Sequence, residues 1–538
     1  MAKKKATMPT SLKIGLYDPG MTPLHRAGLG GLAASLLSLK VSDYPGQWDV
    51  QETYVELTWE EGKANEFFEK LLSEGLAIQD PKSIGIIDFP AFKNRLGHSA
   101  SYEARLAYQD ALMGTFLQHG KSRTLGSEKV LVLDPEAQKR QRSYRPMESF
   151  KHQQQAKDIV GALSPKGTND IRIAGWAYPG AVEKHPGKSW SRMEVSVGAF
   201  VALCFAPVGT FSFKVVSNID RKRRAYALVV PVVSDLKRFG RFRRRFAKFD
   251  ASQMYVSSAS DAGLMIAAAM HSGFEFASRQ RQEFLQVMTL GTQPWASQQK
   301  TRTKVMYINE PDERTLSLYR FVMGLAQFQP KKIQGKNGYF YAISPVREAI
   351  TEALAEGVPW YESVIDTYTS ADSELRNRFH QYEQGGLSAM IEYPESLSQR
   401  EKLFVEVCHK AMGQLYWSVR ERGEAQGTNV DRKLEVELTK IRSSLLRAKN
   451  EDTLRDALVD FWAKASRDKV QQNSVLGRTI KVQNKSGEVL EMSGWEVILP
   501  MLEDQNWKKA RQLALIALLS RSTRSSSDGD EEDLSEEE

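Results

Sequence analysis

The stretch Leu236-Lys-Arg-Phe-Gly-Arg-Phe-Arg-Arg-Arg-Phe-Ala-Lys-Phe249 combines two patterns in one short segment. Seven of the twelve residues from Lys237 to Lys248 are lysine or arginine, and no acid follows until Asp250. Phenylalanines recur at intervals of three, four and three residues, which places four rings on one stripe of a helix. The stretch therefore predicts an amphipathic helix with an aromatic stripe and a face of one charge sign. The four aromatic residues are Phe239, Phe242, Phe246 and Phe249.

A helix face that carries only positive charge favours a polyanionic partner, because a solvated face usually mixes both signs. Nucleic acid is the polyanion that such a face fits best. The alternative, a plain solvated surface, stays open from these residues alone. The cations that we expect to contact nucleic acid here are Lys237, Arg238, Arg241, Arg243, Arg244, Arg245 and Lys248.

A second cationic cluster precedes this helix. Strand-like Thr210–Asn218 and Ala225–Val233 flank a short polar connection, which predicts a β-hairpin. Adjacent cations at its tip repel one another unless an anionic ligand is bound, although a solvated turn is the alternative. The expected nucleic-acid contacts at this tip are Arg221, Lys222, Arg223 and Arg224.

Two further cationic groups follow along the chain. Lys300, Arg302 and Lys304 alternate, so a strand places all three on one face. Lys331 and Lys332 come just before a glycine-rich turn that contains Lys336 and Asn337. A small tip of this kind fits a minor groove, where lysine and asparagine reach base-edge acceptors. A plain hairpin turn is the alternative.

The composition predicts a multi-domain α+β protein. The chain has 538 residues and a net charge of +8, and eight of its acids lie between Asp528 and Glu538. The rest therefore holds 58 acids against 74 bases, a charge of +16 that again favours a polyanionic partner. We expect a mixed α/β region with antiparallel hairpins over 1–389, with a candidate break near 138–160. An α-helical bundle over 390–521 and a disordered acidic tail over 522–538 complete the expected organisation.

Several elements can be predicted from local patterns. Thr22-Pro23 starts a helix to about Lys40, with threonine as N-cap and proline at the first helical position. The apolar run Val195–Gly209 is too short to span a bilayer and is interpreted as a buried strand. A helix is expected over Ser260–Leu290. Four amphipathic helices are expected near the end of the chain, over Ser398–Arg422, Asp431–Lys449, Asp452–Lys469 and Gln505–Ser520.

No pattern in the sequence predicts an active site, a cofactor or a metal. The segment Gly28–Ala33 matches G-x-G-x-x-A but lies inside the first predicted helix, where small residues favour close packing rather than dinucleotide binding. None of the eight histidines has catalytic or zinc-binding spacing, and Cys204 and Cys408 are far apart. No signal peptide or membrane segment is recognised, so we expect a cytoplasmic protein that is not an enzyme.

Three stretches together carry a family resemblance: Gly15–Leu32, Gly175–His185 and Leu228–Leu236. In combination they resemble the large-subunit family of type I CRISPR surveillance (Cascade) complexes, in its Myxococcus-type branch. The resemblance implies a non-catalytic subunit of a crRNA-guided complex and a small-subunit-like C-terminal helical domain. The alternative is another basic nucleic-acid-binding or RNA-processing scaffold outside CRISPR systems.

The resemblance also implies the partners. A large subunit of this kind recognises the PAM-flanking double-stranded DNA and stabilises the R-loop, while guide pairing reads the target sequence. Lys336 and Asn337 become candidates for reading the PAM. The implied partners are the crRNA, target double-stranded DNA, the backbone, guide-end and small subunits, and a nuclease-helicase or transposition proteins.

Gly385-Gly386 precedes Met390 at the start of the expected helical bundle. A Gly-Gly pair can be encoded by a ribosome-binding sequence, so one hypothesis is that a free small subunit is translated from Met390. The alternative interpretation is a flexible glycine linker.

Overall fold

The chain divides into two compact units. Unit 1 comprises Met1–Tyr319 with Gln329–Glu356, and unit 2 comprises Arg320–Phe328 with Gly357–Glu538. Their elements confirm the predicted α+β class. The computed structural model describes residues 8–118, 120–132, 141–173, 177–179, 194–216, 225–271, 284–295, 298–309, 311–335, 338–426, 429–465, 479–483, 489–493, 500–502 and 506–520.

Unit 1 contains short, mostly antiparallel sheets. Its described strands are β1 (Ser11–Gly15), β2 (Gly46–Val50), β3 (Tyr54–Trp59), β4 (Ile78–Gln79), β5 (Ile86–Ile87), β6 (Arg123–Leu125), β7 (Lys129–Val132), β8 (Gln141–Tyr144), β9 (Met147–Phe150), β10 (Asp170–Arg172), β11 (Glu194–Ser196), β12 (Phe211–Val215), β13 (Ala225–Val230), β14 (Tyr255–Val256), β15 (Phe284–Trp295), β16 (Gln298–Asn309), β17 (Lys331–Gly335) and β18 (Gly338–Ala342). One sheet has the order β1-β3-β2 and another the order β14-β12-β13-β15-β16, in which β12 and β14 are parallel. The antiparallel pairing of β12 with β13 confirms the predicted hairpin in the described residues.

Helices pack on these sheets. Those of unit 1 are α1 (Pro23–Leu36), α2 (Ala64–Gly75), α3 (Tyr102–Gly114), α4 (Ala156–Leu163), α5 (Val197–Cys204), α6 (Ala206–Gly209), α7 (Leu236–Arg243), α8 (Ala259–His271) and α10 (Pro345–Glu356), and α9 (Glu313–Gly324) runs across the division.

Helix α1 is the centre of unit 1, and all but two of its residues are buried. The predicted Thr22 N-cap and Pro23 first position are confirmed, although the helix ends at Leu36 rather than near Lys40. A Cβ atom added to Gly28 would overlap the carbonyl oxygen of Ala202, and one added to Gly31 would overlap that of Phe205. The small residues of Gly28–Ala33 therefore serve close packing against α5 and α6, as expected.

Two element predictions are wrong. The run Val195–Gly209 is helical (α5 and α6) rather than a strand, because Ser196 caps α5 by accepting a hydrogen bond from the Ala199 N–H (3.3 Å). A run that is buried on every side shows no alternation of apolar and polar residues. Hydrophobic periodicity therefore does not distinguish a helix from a strand there. The helix expected over Ser260–Leu290 ends at His271, and Phe284 begins strand β15.

A fully buried ion pair ties α8 and α10 together. An Arg347 guanidinium nitrogen lies 2.7 Å from Oδ2 of Asp261, and both side chains are completely buried. The same carboxylate accepts hydrogen bonds from the Ser257 N–H (2.8 Å) and the Tyr319 hydroxyl (2.9 Å). Loss of Arg347 would leave the charge of Asp261 buried without a counter-charge, which is strongly unfavourable. The network therefore holds α8 and α10 in one arrangement.

Unit 2 is mainly helical. Its helices are α11 (Trp360–Ser370), α12 (Ser373–Arg378), α13 (Gln384–Glu392), α14 (Gln399–Gln426), α15 (Val430–Arg447), α16 (Glu451–Ala465) and α17 (Trp507–Ser520), with a strand pair β19 (Thr479–Gln483) and β20 (Val489–Ser493). The four predicted C-terminal helices are thus confirmed within the described residues. The tail after Ser520 lies outside them.

The segment before the predicted bundle is not a flexible linker. Gly385 and Gly386 lie within α13, and a Cβ atom on Gly386 would meet the Phe328 ring at 2.5 Å. Met390, on the same helix, is completely buried. Translation from Met390 stays a prediction.

We predict that Gly209→Ala destabilises the chain by about 2 kcal/mol or more, because its Cβ would overlap the carbonyl oxygen of Ala27. Gly161→Ala, on α4, is the matched control because nothing lies within 4 Å of the added atom. That change should stabilise the chain by about 0.5–1 kcal/mol through helix propensity. Urea unfolding checks both, and equal effects would refute the packing role of Gly209.

Candidate nucleic-acid interface

The cationic segment forms α7 followed by a 3-10 turn over Arg244–Lys248. The carboxylate of Asp235 caps α7 by accepting a hydrogen bond from the Arg238 N–H (2.9 Å). The predicted aromatic stripe is confirmed in part: Phe239, Phe242 and Phe246 are buried, whereas Phe249 is half-buried and follows the 3-10 turn. The α-helix ends at Arg243, so the expected helix is shorter than the stripe.

The stripe fixes the segment to the core of unit 1. The Phe246 ring centroid lies 4.5 Å from that of Phe92 and 5.0 Å from that of Tyr108. The Phe242 centroid lies 5.7 Å from that of Phe211. Aromatic contacts at these distances make the segment part of the folded body.

Arg243 has a different place from the one expected. Its side chain is buried at 1% exposure, with the guanidinium 4.0 Å from the Phe211 ring centroid and 4.4 Å from that of Phe92. Burial lowers the pKa of Arg243 to about 10, which leaves the group charged at neutral pH. In this conformation the residue holds two aromatic rings together through cation–π contact and does not reach a ligand on the surface.

Two other arginines hydrogen-bond carbonyl groups at helix ends. Arg244 donates to the carbonyl of Leu37, the C-cap of α1, and Arg245 donates to that of Ala269 (3.0 Å) in the last turn of α8. Helix C-termini carry unpaired carbonyls and partial negative charge, so cations there are stabilising. Both arginines thereby join α7 to helices that are remote in sequence.

The other cations of the segment lie towards solvent. Lys237 donates to the Gln51 side chain (3.0 Å), and Arg238 pairs with Asp235 (3.2 Å). Arg241 and Lys248 are exposed. The outer row, which we define as Lys237, Arg241, Arg244 and Lys248, follows spacings of four, three and four residues. It lies on the side of the segment opposite the buried phenylalanines. The Gln51 side chain that binds Lys237 also donates to the carboxylate of Asp49, so an acid lies near one end of the row.

The other cations expected to contact nucleic acid lie only partly within the described residues. Lys300, Arg302 and Lys304 lie in β16, in register with Gln293, Gly291 and Thr289 of β15. The tip residues Arg221, Lys222, Arg223 and Arg224 and the pair Lys336 and Asn337 lie outside the described residues. Lys331 is exposed, whereas Lys332 lies 2.9 Å from Oε1 of Glu103 on α3.

A further pair of cations, which no sequence pattern indicated, lies against Asp110 of α3. Arg142 and Lys214, from two different strands, both pair with Oδ2 of Asp110, and Lys214 also lies 5.4 Å from the Tyr255 ring centroid. The three residues are remote in sequence, so no local pattern links them. Asp110 offsets part of their charge, which makes them weaker phosphate ligands than the outer row.

His25 and Cys408 are both buried in the protein interior. His25 is buried, and its Nδ1 accepts a hydrogen bond from the N-cap Thr22 N–H (3.3 Å). Burial lowers the pKa of His25 to about 4, so the ring is neutral at neutral pH. Burial also raises the pKa of Cys408 to about 12, which keeps this thiol protonated. His185 lies outside the described residues.

Two features are absent from the described parts of the chain. No group of histidine, cysteine, aspartate and glutamate there has an arrangement that would hold a metal ion. None of the helices there combines the length and apolar character needed to cross a bilayer.

Comparisons with known proteins agree with the resemblance. The model of the DevT N-terminal domain matches residues 13–204, and that of the DevT C-terminal domain matches 392–538. A CRISPR-associated protein, Cas8a1/Csx13 of Myxococcus xanthus (strain DK1622), is 30% identical over 96% of this chain and 90% of its own length.

The chain therefore belongs to the Myxococcus-type Cas8a1/Csx13 family of large Cascade subunits. The predicted family resemblance is confirmed, and the alternative of a scaffold outside CRISPR systems is wrong.

We predict that Arg243→Ala destabilises the chain by about 2–4 kcal/mol, because it removes a buried side chain packed between two rings. Arg243→Met, which keeps most of the volume and removes the charge, should cost less than the alanine change. Arg241→Ala, on the exposed face, should stay within about 0.5 kcal/mol. Urea unfolding compares the three, and equal losses at Arg243 and Arg241 would contradict the buried role.

Proposed function

We propose that this large subunit is a non-catalytic, DNA-binding component of a crRNA-guided surveillance complex. It recognises the double-stranded DNA that flanks the target, on the PAM side, and stabilises the R-loop. Its proposed partners are the crRNA, target DNA, and the backbone, guide-end and small subunits. Family membership supports the role in a crRNA-guided complex, and the outer row supports the proposed contact with DNA.

The outer row is the observation that carries this proposal. Its four cations project from a segment whose other face is fixed by buried phenylalanines, so their positive charge is held at one place on unit 1. Long cationic side chains bind phosphates without reading bases. A non-specific grip suits a complex in which guide pairing reads the target and the protein reads only a short flanking motif.

We predict that changing Lys237, Arg241 and Lys248 together to glutamine weakens DNA binding by the assembled complex on all sequences. Each lost phosphate contact should reduce the slope of log K against log salt by about 0.9. Arg244, the fourth member of the outer row, is left intact with Arg243 and Arg245, because all three hold the fold together. Filter binding at several salt concentrations measures the slope.

The matched control changes Lys63, Lys82 and Lys166 to glutamine. These exposed lysines of unit 1 lie away from α7 in sequence, and their replacement alters net charge by the same amount. A slope that falls equally in both triple variants would show that net charge alone matters, and the outer row would then lose its assigned role.

We predict that Lys336→Ala and Asn337→Ala change the preference for flanking base pairs and leave the salt slope almost unaltered. Base-edge hydrogen bonds discriminate between sequences by about 1–3 kcal/mol each, whereas phosphate contacts do not discriminate. Binding to duplexes with randomised flanking positions gives the preference. An unaltered preference in both variants would refute the reading role of this tip.

A further inference from the structure

One side chain of unit 2 exposes a large aromatic surface to solvent. Trp417 on α14 is 64% exposed, the highest value among the large apolar side chains that the structure describes in unit 2. Of the other tryptophans described there, Trp360 is buried, and Trp462 and Trp507 are half-buried. A tryptophan carries one of the largest apolar surfaces of any side chain, and folding normally buries most of it. Trp417 thus presents an aromatic face that the fold of unit 2 leaves in water.

The position of Trp417 on α14 explains this exposure. Leu415 and Val419, which are 2% and 3% exposed, belong to the buried side of the helix. Each lies two residues from Trp417, which is about 200° around an α-helix, so the indole ring projects from the opposite side. Because the ring takes no part in the core, its replacement should leave the fold intact.

An arginine and a tyrosine orient the ring. The guanidinium carbon of Arg420, one turn further along α14, lies 5.6 Å from the Trp417 ring centroid, within the range of a cation–π contact. The Tyr416 ring meets the indole edge to face, with the centroids 6.0 Å apart and the planes at 78°. A side chain that is oriented beforehand loses less entropy when it binds a ligand.

The residues around the ring are polar. Lys410 and Gln414, two turns and one turn before Trp417, are exposed, and so is Glu421, one turn after it. Hot spots of protein–protein interfaces are, in contrast, surrounded by further close contacts that exclude water. An aromatic face beside a cationic side chain in otherwise polar surroundings is instead typical of the platforms on which single-stranded nucleic acids stack their bases.

The charges on this side of α14 make a small contribution. Lys410 pairs with Glu406 (3.2 Å), and the two side chains are still 51% and 46% exposed. A surface pair of this kind is worth little, so Lys410 can exchange its partner for a phosphate. Because Glu406 and Glu421 lie on the same side, we expect the aromatic ring to provide most of the affinity.

We propose that Trp417 and Arg420 form a stacking site for one unpaired nucleobase. Stacking requires a base whose face is free, so the ligand is single-stranded DNA or RNA and not a duplex. Stacking does not read the base edges, and the site therefore accepts any sequence. The inference goes beyond the proposed function, which places the contact with duplex DNA on the outer row of unit 1.

The test measures the binding of single-stranded oligo(dT) and oligo(U) to the full chain. Trp417→Ala should weaken binding roughly 5- to 150-fold, the contribution of one stacked base, whereas Trp417→Phe keeps a smaller ring and should lose only part of it. The slope of log K against log salt should be unaltered, because no phosphate contact is removed. Oligo(dT) should also quench a part of the tryptophan fluorescence that is missing in Trp417→Phe.

The two probes identify the source of the base. A loss with oligo(dT) alone would identify a DNA strand as the ligand, and a loss with oligo(U) alone would identify RNA. Equal losses would show that the site takes an unpaired base from either.

The matched control is Val459→Ala, because Val459 on α16 is 58% exposed and also apolar. This variant should bind both probes normally. Full binding of both probes by Trp417→Ala overturns the inference, as does an equal loss in Val459→Ala or a wild-type chain that binds neither probe. Loss of another subunit from the purified Trp417→Ala complex, beside normal binding of both probes, also overturns it and identifies the ring as a protein contact.

Discussion

The close approach of α1 to the helices α5 and α6 is the constraint on which unit 1 depends. It is possible only because glycines stand at the contact, including Gly28 on α1 and Gly209 on α6. The same helix receives the cationic segment, since a Cβ atom on Gly30 would lie 2.6 Å from the Phe239 ring. The position of the outer row therefore depends on the packing of the helix directly beneath the segment. A change of side-chain volume at α1 would be transmitted to the outer row, because close-packed interiors transmit strain.

The cationic segment divides similar residues among three tasks. Arg243 packs between rings, Arg244 and Arg245 bind carbonyls at helix ends, and Arg241 and Lys248 face solvent. Charge alone therefore overstates how many of these cations are available to a polyanion. The buried portion of the segment fixes where the exposed portion lies. Such pre-organisation would reduce the entropy lost on binding the proposed DNA partner.

Helix caps and hydrophobic periodicity correctly predicted those helices and strands whose formation depends on neighbouring residues in the sequence. The Thr22-Pro23 start, the β12–β13 hairpin and the C-terminal helices follow from caps and periodicity, which act over a few residues. The prediction of a strand at Val195–Gly209 was wrong because a completely buried run has no polar face. Without polar residues, the spacing of apolar residues does not distinguish a helix from a strand. The burial of Arg243 was not predictable either, since arginine is almost never fully buried. The partners of Glu103, Arg244 and Arg245 lie in remote parts of the chain, so no local pattern indicates them.

The buried pair of Asp261 and Arg347 has a consequence for the order of events during synthesis. The aspartate emerges from the ribosome 86 residues before its arginine, an interval of roughly 4–17 s at typical elongation rates. Until then, closing the core around α8 would bury a carboxylate without a counter-charge, at a cost of several kcal/mol. The nascent chain therefore has a thermodynamic reason to keep this region open while β15 and β16 are made. The buried carboxylate gains its counter-charge only once Arg347 has been synthesised.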